Sequence, residues 1–213
     1  MNNFTDKPPT YDIEKQEKFV LNFFDLSEAE QEELKKRVLE NKGSIRIMVH
    51  PYFMSKSAEQ YKHGFKNRIG IVETGFKRIL ETKSTTPVFL FEDIDEIDNT
   101  KKIILPSLVS SRKSLYLVPT LPNEPVPVTG VRGEHPDEAW DLFINKLKEI
   151  GVQKIVIGGM YLYVDQDSEY LSGCLGSAIK NLRPAFKVQI SNLAHPNYRE
   201  NLTNPDTTPY GAK

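Results

Sequence analysis

The chain has 213 residues, 38% of them hydrophobic and 27% charged, and its 28 basic and 29 acidic side chains leave a formal net charge of −1. Balanced charge dispersed along the chain gives no electrostatic footprint for nucleic acid and no polybasic segment for an anionic membrane. No apolar run approaches the roughly 20 residues that span a bilayer, the polar N-terminus lacks a signal-peptide pattern, and a single cysteine excludes an internal disulfide or a Cys-rich zinc site. The expectation is a cytoplasmic protein with one sizeable core. Three segments are expected: a helical N-terminal extension (1–43), an α/β domain (44–195) and a C-terminal tail (196–213).

Met1–Tyr11 is polar and reads as a loose arm. Over Ile13–Phe24, Phe19, Val20, Phe23 and Phe24 are spaced for a short helix pinned on the core. Ser27 and Glu30 have the spacing of a capping box, so a helix starts there and runs to about Asn41, with Gly43 as its stop. Ile45–His50 is the first sheet strand, cut by Pro51. Tyr61, Phe65, Ile69, Val72, Phe76, Ile79 and Leu80 recur every three or four positions and form one broad apolar stripe, the mark of an amphipathic helix. Val88–Phe91 is the second strand. An acidic stretch, Glu92–Asp98, leads into a weaker helix or loop through Ile103–Val109, and Leu115–Val118 is the third strand.

Pro119–Pro136 holds five prolines and is longer than ordinary strand-to-helix connections. It reads as a lid, a subunit contact or a packed insertion, with Val126–Val128 as an edge strand. Pro136 suits the first turn of the next helix. Ala139, Trp140, Phe143, Ile144, Leu147 and Ile150 form the buried face of that helix, and Gly151 ends it.

Gly151–Leu193 then reads strand, helix, strand. The run Ile155-Val156-Ile157 is continuously apolar, as in strands covered on both faces, and a helix between two such strands implies parallel pairing. The whole predicts an α/β fold: a three-layer sandwich around a mainly parallel, five-stranded, Rossmann-like sheet. From His195 onward the sequence is rich in Asn, Thr and Pro, and is expected to be disordered or laid along the surface.

In such sheets ligands gather beyond the carboxyl ends of the strands. The residues delivered there are His50 and Tyr52; Glu92 and Asp93; Thr120; Gly158, Gly159, Tyr161, Tyr163, Asp165 and Asp167; then Asn192 and His195. His50, His195 and Asp93 are the candidate catalytic groups, because an imidazole beside a carboxylate serves as general acid or base near neutrality. Glu92, Thr120, Gly158, Gly159, Tyr161 and Asn192 are the candidate ligand-binding residues, with the glycine pair letting a phosphate or carboxylate approach the backbone. The alternatives are that both histidines cap strand ends and that Gly158-Gly159 is a tight turn. No His spacing typical of a metal site occurs, so no metal ligand is assigned, and the cofactor is left unknown. Cys174 falls within the stripe Tyr170, Leu171, Cys174, Leu175, Ala178, Ile179 and Leu182. If Asp165 or Asp167 caps that helix, the thiol sits near the second turn, too far in for the first-turn amides to activate it, and acts as a small hydrophobe.

The second half resembles the isochorismatase-like cysteine hydrolases. The likeness lies in Asp137–Gly159, in Cys174-Leu-Gly-Ser-Ala178, in Val188–Asn192 and in Ile71–Phe91, about 100 residues in all. It implies the fold; the family's active site joins an aspartate after the first strand, a lysine after the third and a cysteine at the start of the later helix, and here the aspartate position falls at His50-Pro51 and no lysine closely follows Leu115–Val118. Two functions are compatible with the residues. One is an enzyme, such as a hydrolase, acting on a small polar metabolite at the carboxyl edge. The other is a catalytically silent α/β scaffold that binds a ligand or a protein partner. Neither nucleic acid nor membrane is expected as a partner, and a homo-oligomer is left open.

Overall fold

Local sequence signals and tertiary demand meet in a sheet whose strands come from the whole length of the chain. The computed structural model describes residues 17–51, 66–122, 124–131, 134–164 and 171–198. Among them the strands are β1 (Val20–Asn22), β2 (Ser44–Val49), β3 (Val88–Asp93), β4 (Leu115–Thr120), β5 (Lys154–Val164), β6 (Leu171–Ser172) and β7 (Lys187–Tyr198). The helices are α1 (Glu28–Glu40), α2 (Lys66–Glu81), α3 (Ile97–Ser111), α4 (Pro136–Glu149) and α5 (Gly173–Leu182). Strand order is β1-β4-β3-β2-β5, and both β7 and the two-residue β6 pair with β5. Every pairing is parallel except β5 with β6. The five expected strands are all present, with β1 and β6 added.

Strand faces divide the core in two. Ile45, Ile47 and Val49 of β2, Phe89 and Phe91 of β3, and Ile155 and Ile157 of β5 pack under α1, α4 and α5. Met48, Val88, Leu90, Leu115 and Leu117 pack under α2 and α3, through Val72, Phe76, Leu80, Ile104 and Leu108. This is the three-layer sandwich that continuous apolar strands require, because each face must be covered. Under α4 the core is aromatic. Phe143 meets Phe91 edge-on at 5.2 Å and Phe23 at 5.5 Å, while Trp140 stacks on Phe91 at 5.8 Å.

Local caps agree with the sequence. Glu30 N donates to Ser27 Oγ at 3.4 Å and Ser27 N donates to Glu30 Oε2 at 2.8 Å, closing the box that starts α1. At α4, His135 and Glu138 form the equivalent box, with Pro136 in the first turn.

Four sequence expectations are corrected. Residues 17–24, the described part of the helix expected over Ile13–Phe24, form a 3₁₀ turn, then β1, and the start of a second 3₁₀ turn. The cause is β4, whose outer edge would otherwise present unpaired backbone groups; Val20, Leu21 and Asn22 pair with Leu115, Tyr116 and Leu117 instead. The segment after Asp93 is a full helix, α3, that carries Pro106 within it. Its buried face, with Thr100, Ile104 and Leu108, outweighs the backbone bond that proline removes. The chain does not become a tail at His195, since β7 continues to Tyr198. Lastly, Gly158-Gly159 is no turn: both lie inside β5. Tyr52, Tyr61, Phe65, Asp165, Asp167, Tyr170 and the segments 1–16 and 199–213 lie outside the described residues.

Gly159 has φ +127°, and a Cβ there would fall 2.1 Å from the Val49 carbonyl oxygen and 2.6 Å from its nitrogen. Gly159→Ala must therefore part β5 from β2, and we expect it to lower unfolding free energy by more than about 3 kcal/mol. Gly130, also at positive φ but with open space around it, should lose only about 1 kcal/mol on change to Ala. Urea denaturation of the two variants measures the difference.

Candidate functional site

Chain direction across the sheet reverses between β2 and β5. From β2 the chain moves outward through β3 to β4 by way of α2 and α3; it then returns to β5 by way of α4 and continues through α5 to β7. A parallel sheet opens a crevice beyond its strand ends at such a reversal. His50 immediately follows β2 there, and Gly159 is the register partner of Val49 on β5.

His50 is fully buried and adopts φ +44°, a left-handed backbone conformation that is uncommon for a residue other than glycine. Strict alternation along β2 would send its side chain to the Met48 face, under α2. The positive φ breaks the alternation, and the imidazole instead crosses the end of β3 to place Nε2 3.0 Å from Thr120 Oγ1 on β4. Backbone pairing holds the bend in place, since His50 N donates to the Phe91 carbonyl at 3.0 Å. Thr120 is itself fully buried.

The two acidic residues at the end of β3 part company by the same alternation. Glu92 follows Leu90 toward α3, where it accepts a 2.6 Å hydrogen bond from the Thr100 hydroxyl and, through its other oxygen, one from Asp93 N at 3.1 Å. It is a buried carboxylate tying the strand end to α3. Asp93 follows Phe91 toward the opposite face and is the register partner of Thr120. Of the pair, Asp93 shares a face with the groups beyond β4 and with α5.

The proline-rich connection closes back on this edge. Leu121 N donates to Val126 O at 3.0 Å and Val128 N to Pro119 O at 2.8 Å, with an isolated antiparallel bridge from Thr120 to Pro127. Pro125 and Pro127 are buried. The segment is thus a packed hairpin, and its Glu124 acts electrostatically on Cys174.

Cys174 is the residue that sequence reasoning misplaced. Leu171-Ser172 leave the apolar stripe to pair with Tyr163-Val164 as β6, and Gly173, at φ +76°, turns the chain directly into α5. The thiol therefore sits at the second position of the helix, in its first turn, partly buried against both halves of the core. The Ser-Gly pair just before it was the available signal for a helix start. Burial, then the Asp93 and Glu124 carboxylates, push the thiol from 9.0 up to about 11, although its own backbone amide acts the other way. At neutral pH it carries its proton.

The remaining candidates are dispersed. Any side chain at Gly158 would meet Met48 Sδ and Leu193, and at Gly159 the Val49 backbone, so protein fills the space that a ligand was expected to use. Asn192 is exposed on the edge strand β7. Tyr161 and Tyr163 belong to β5, beyond the last residue of β2. His195 follows Ala194, the register partner of Gly159, which in turn pairs with Val49. Its backbone thus lies level with His50, two strand spacings or about 10 Å away. Among the described residues no three His, Cys, Asp or Glu side chains are grouped to hold a metal ion.

Alkylation of Cys174 by iodoacetamide should be slow at pH 7 and climb steadily toward about pH 11, since the thiolate is the reacting species. A rate that levels off near neutrality would mean an activated thiol instead. Comparison of the chain with protein-family models, curated proteins and solved structures gave no match, so the chemistry of this edge is what any functional reading rests on.

Proposed function

We propose that the protein is an enzyme of hydrolase type that acts on a small polar metabolite at the carboxyl edge between β2, β3 and β4. One observation carries the reading: His50 is held fully buried, at positive φ, with its ring bonded across β3 to a buried threonine. Such a backbone costs on the order of 1–3 kcal/mol, and strain of that kind concentrates at functional sites. A histidine that merely capped a strand end would need neither the burial nor the bend.

In this proposal His50 and Asp93 move protons. Thr120 fixes the imidazole so that a bound substrate meets it in one orientation, which is where most of a positioned acid or base's effect arises. Glu92, spent on Thr100 and the backbone, keeps the end of β3 rigid. Cys174 is the nucleophile at hand in the first turn of α5. Being a thiol near neutrality, it attacks the substrate carbonyl only as a base takes its proton; the alcohol or amine departs with a proton, and water then hydrolyses the thioester and frees the thiol. The likeness to the isochorismatase-like cysteine hydrolases speaks for the fold alone, since the aspartate and lysine positions of that family are not matched here. His195 remains a second candidate acid or base by its place on β7.

The test is a screen of short-chain p-nitrophenyl esters and simple amides, followed by substitution. Asparagine tolerates the left-handed region, so His50→Asn should leave the melting temperature within a few degrees while turnover falls about 100-fold or more. Cys174→Ala separates thiol attack from direct attack by water. Turnover that survives His50→Asn, or a wild-type protein inert toward the whole panel, would favour the silent scaffold.

A further inference from the structure

A cavity of about 320 Å³ opens at the other end of the sheet, among residues that precede the strands. Its walls are the second half of α1, the turn after α2 and the end of α3. Five cations line it (Lys36, Arg37, Lys83, Arg112 and Lys113) against two carboxylates, Glu33 and Glu40. Glu33 is occupied by Arg37, whose Nε donates to it at 2.8 Å. The walls are tied together. Asn41 donates to Thr85 Oγ1 at 3.2 Å and accepts from Thr86 Oγ1 at 2.9 Å, while Ser107 of α3 donates to Glu81 of α2 at 3.1 Å.

Some of this charge has a local explanation. α1, α2 and α3 all end here, and a helix carboxyl end carries about half a negative charge, so three ends ask for about one and a half positive charges. Lys113 Nζ does donate to the Ile79 carbonyl near the end of α2, at 3.0 Å. The lining nevertheless holds a net of three positive charges, and Arg46 on β2 adds another close by. Lys113 is the buried cation of the five. Desolvation first, then the charges of Arg46 and Arg37, hold its ammonium below the usual lysine range. Cations gathered around one recess, with the carboxylates outnumbered, make a site for an anion.

We propose that this amino-edge cavity binds a small phosphorylated metabolite. The charge selects phosphate over a lone carboxylate: a phosphate monoester carries about −1.5 to −2 near pH 7, which matches the surplus of about one and a half left after the helix ends, whereas one carboxylate leaves about a third of it unmet. The ammonium groups of Lys36 and Lys83 with the Arg112 fork suit tetrahedral oxygens. The volume lies at the small end of metabolite sites, about 300–1,000 Å³. Six-residue strands set the cavity about 20 Å from the carboxyl edge. Its occupant therefore stands apart from the proposed reaction, and this inference does not depend on it.

The experiment is calorimetric titration of the full chain with sodium pyrophosphate and with inorganic phosphate at low salt. Lys83 and Arg112 are both exposed, so the double variant Lys83→Glu/Arg112→Glu should keep its melting temperature. It should also bind pyrophosphate at least about tenfold more weakly than the wild type. Lys148→Glu/Lys180→Glu makes the same change in net charge on α4 and α5, and should bind like the wild type. No wild-type binding up to about 10 mM pyrophosphate, equal binding by all three proteins, or equal weakening in both double variants would each overturn the proposal.

Discussion

The close approach of β2 and β5 at Val49 and Gly159 is the constraint on which the molecule turns. A parallel pair needs evenly spaced backbone bonds, and these run from Ser44↔Lys154 to Val49↔Gly159 before β2 ends. At the last step the two backbones lie too near for any Cβ on β5. Beyond it β5 continues with β7, through a shifted register, and with the short β6. That contact fixes where β2 must stop, and His50 is the first residue freed from the ladder.

Burial without solvent explains how the polar groups at that edge are arranged. A buried carboxylate costs several kcal/mol unless it is paired or hydrogen-bonded. Glu92 meets the condition through Thr100 and a backbone amide, and His50 through Thr120. The amino edge follows the opposite logic: its polar groups are mostly exposed, and like charges are held near one another across open space. One sheet thus carries two chemically distinct ends.

Much of this was legible in the sequence because it depends on local pattern. The apolar runs of β2, β3, β4 and β5, the Ser27–Glu30 box and the stripe of α4 are short-range signals that tertiary packing reinforces. What escaped depends on partners distant in sequence. Val20–Asn22 is a strand only because β4 offers an open edge. Leu171-Ser172 leave a helical stripe because Tyr163-Val164 recruit them, and this moves Cys174 into a first turn. Naming His50, Asp93 and Thr120 as strand-end groups was within reach of the sequence. Separating Glu92 from Asp93 needed the strand alternation fixed against real neighbours, and the left-handed bend at His50 is more than histidine's modest preference for that region foretells. The basic cavity was invisible, since its cations lie in three segments of otherwise balanced charge.

The wide separation in sequence of β2 and β5 also shapes how the chain is made. Their paired residues lie about 110 positions apart, so β2 emerges during synthesis long before its central partner. Until then β4, β3 and β2 form half a sheet, with an open edge along Ile45, Ile47 and Val49. Such an edge is a template for pairing with another chain, and contacts this distant form slowly. The interval before β5 arrives is the stage at which a nascent chain is most exposed to aggregation. A slower ribosome or a scarcity of chaperone would be felt there, rather than within the helices, whose backbone hydrogen bonds are local.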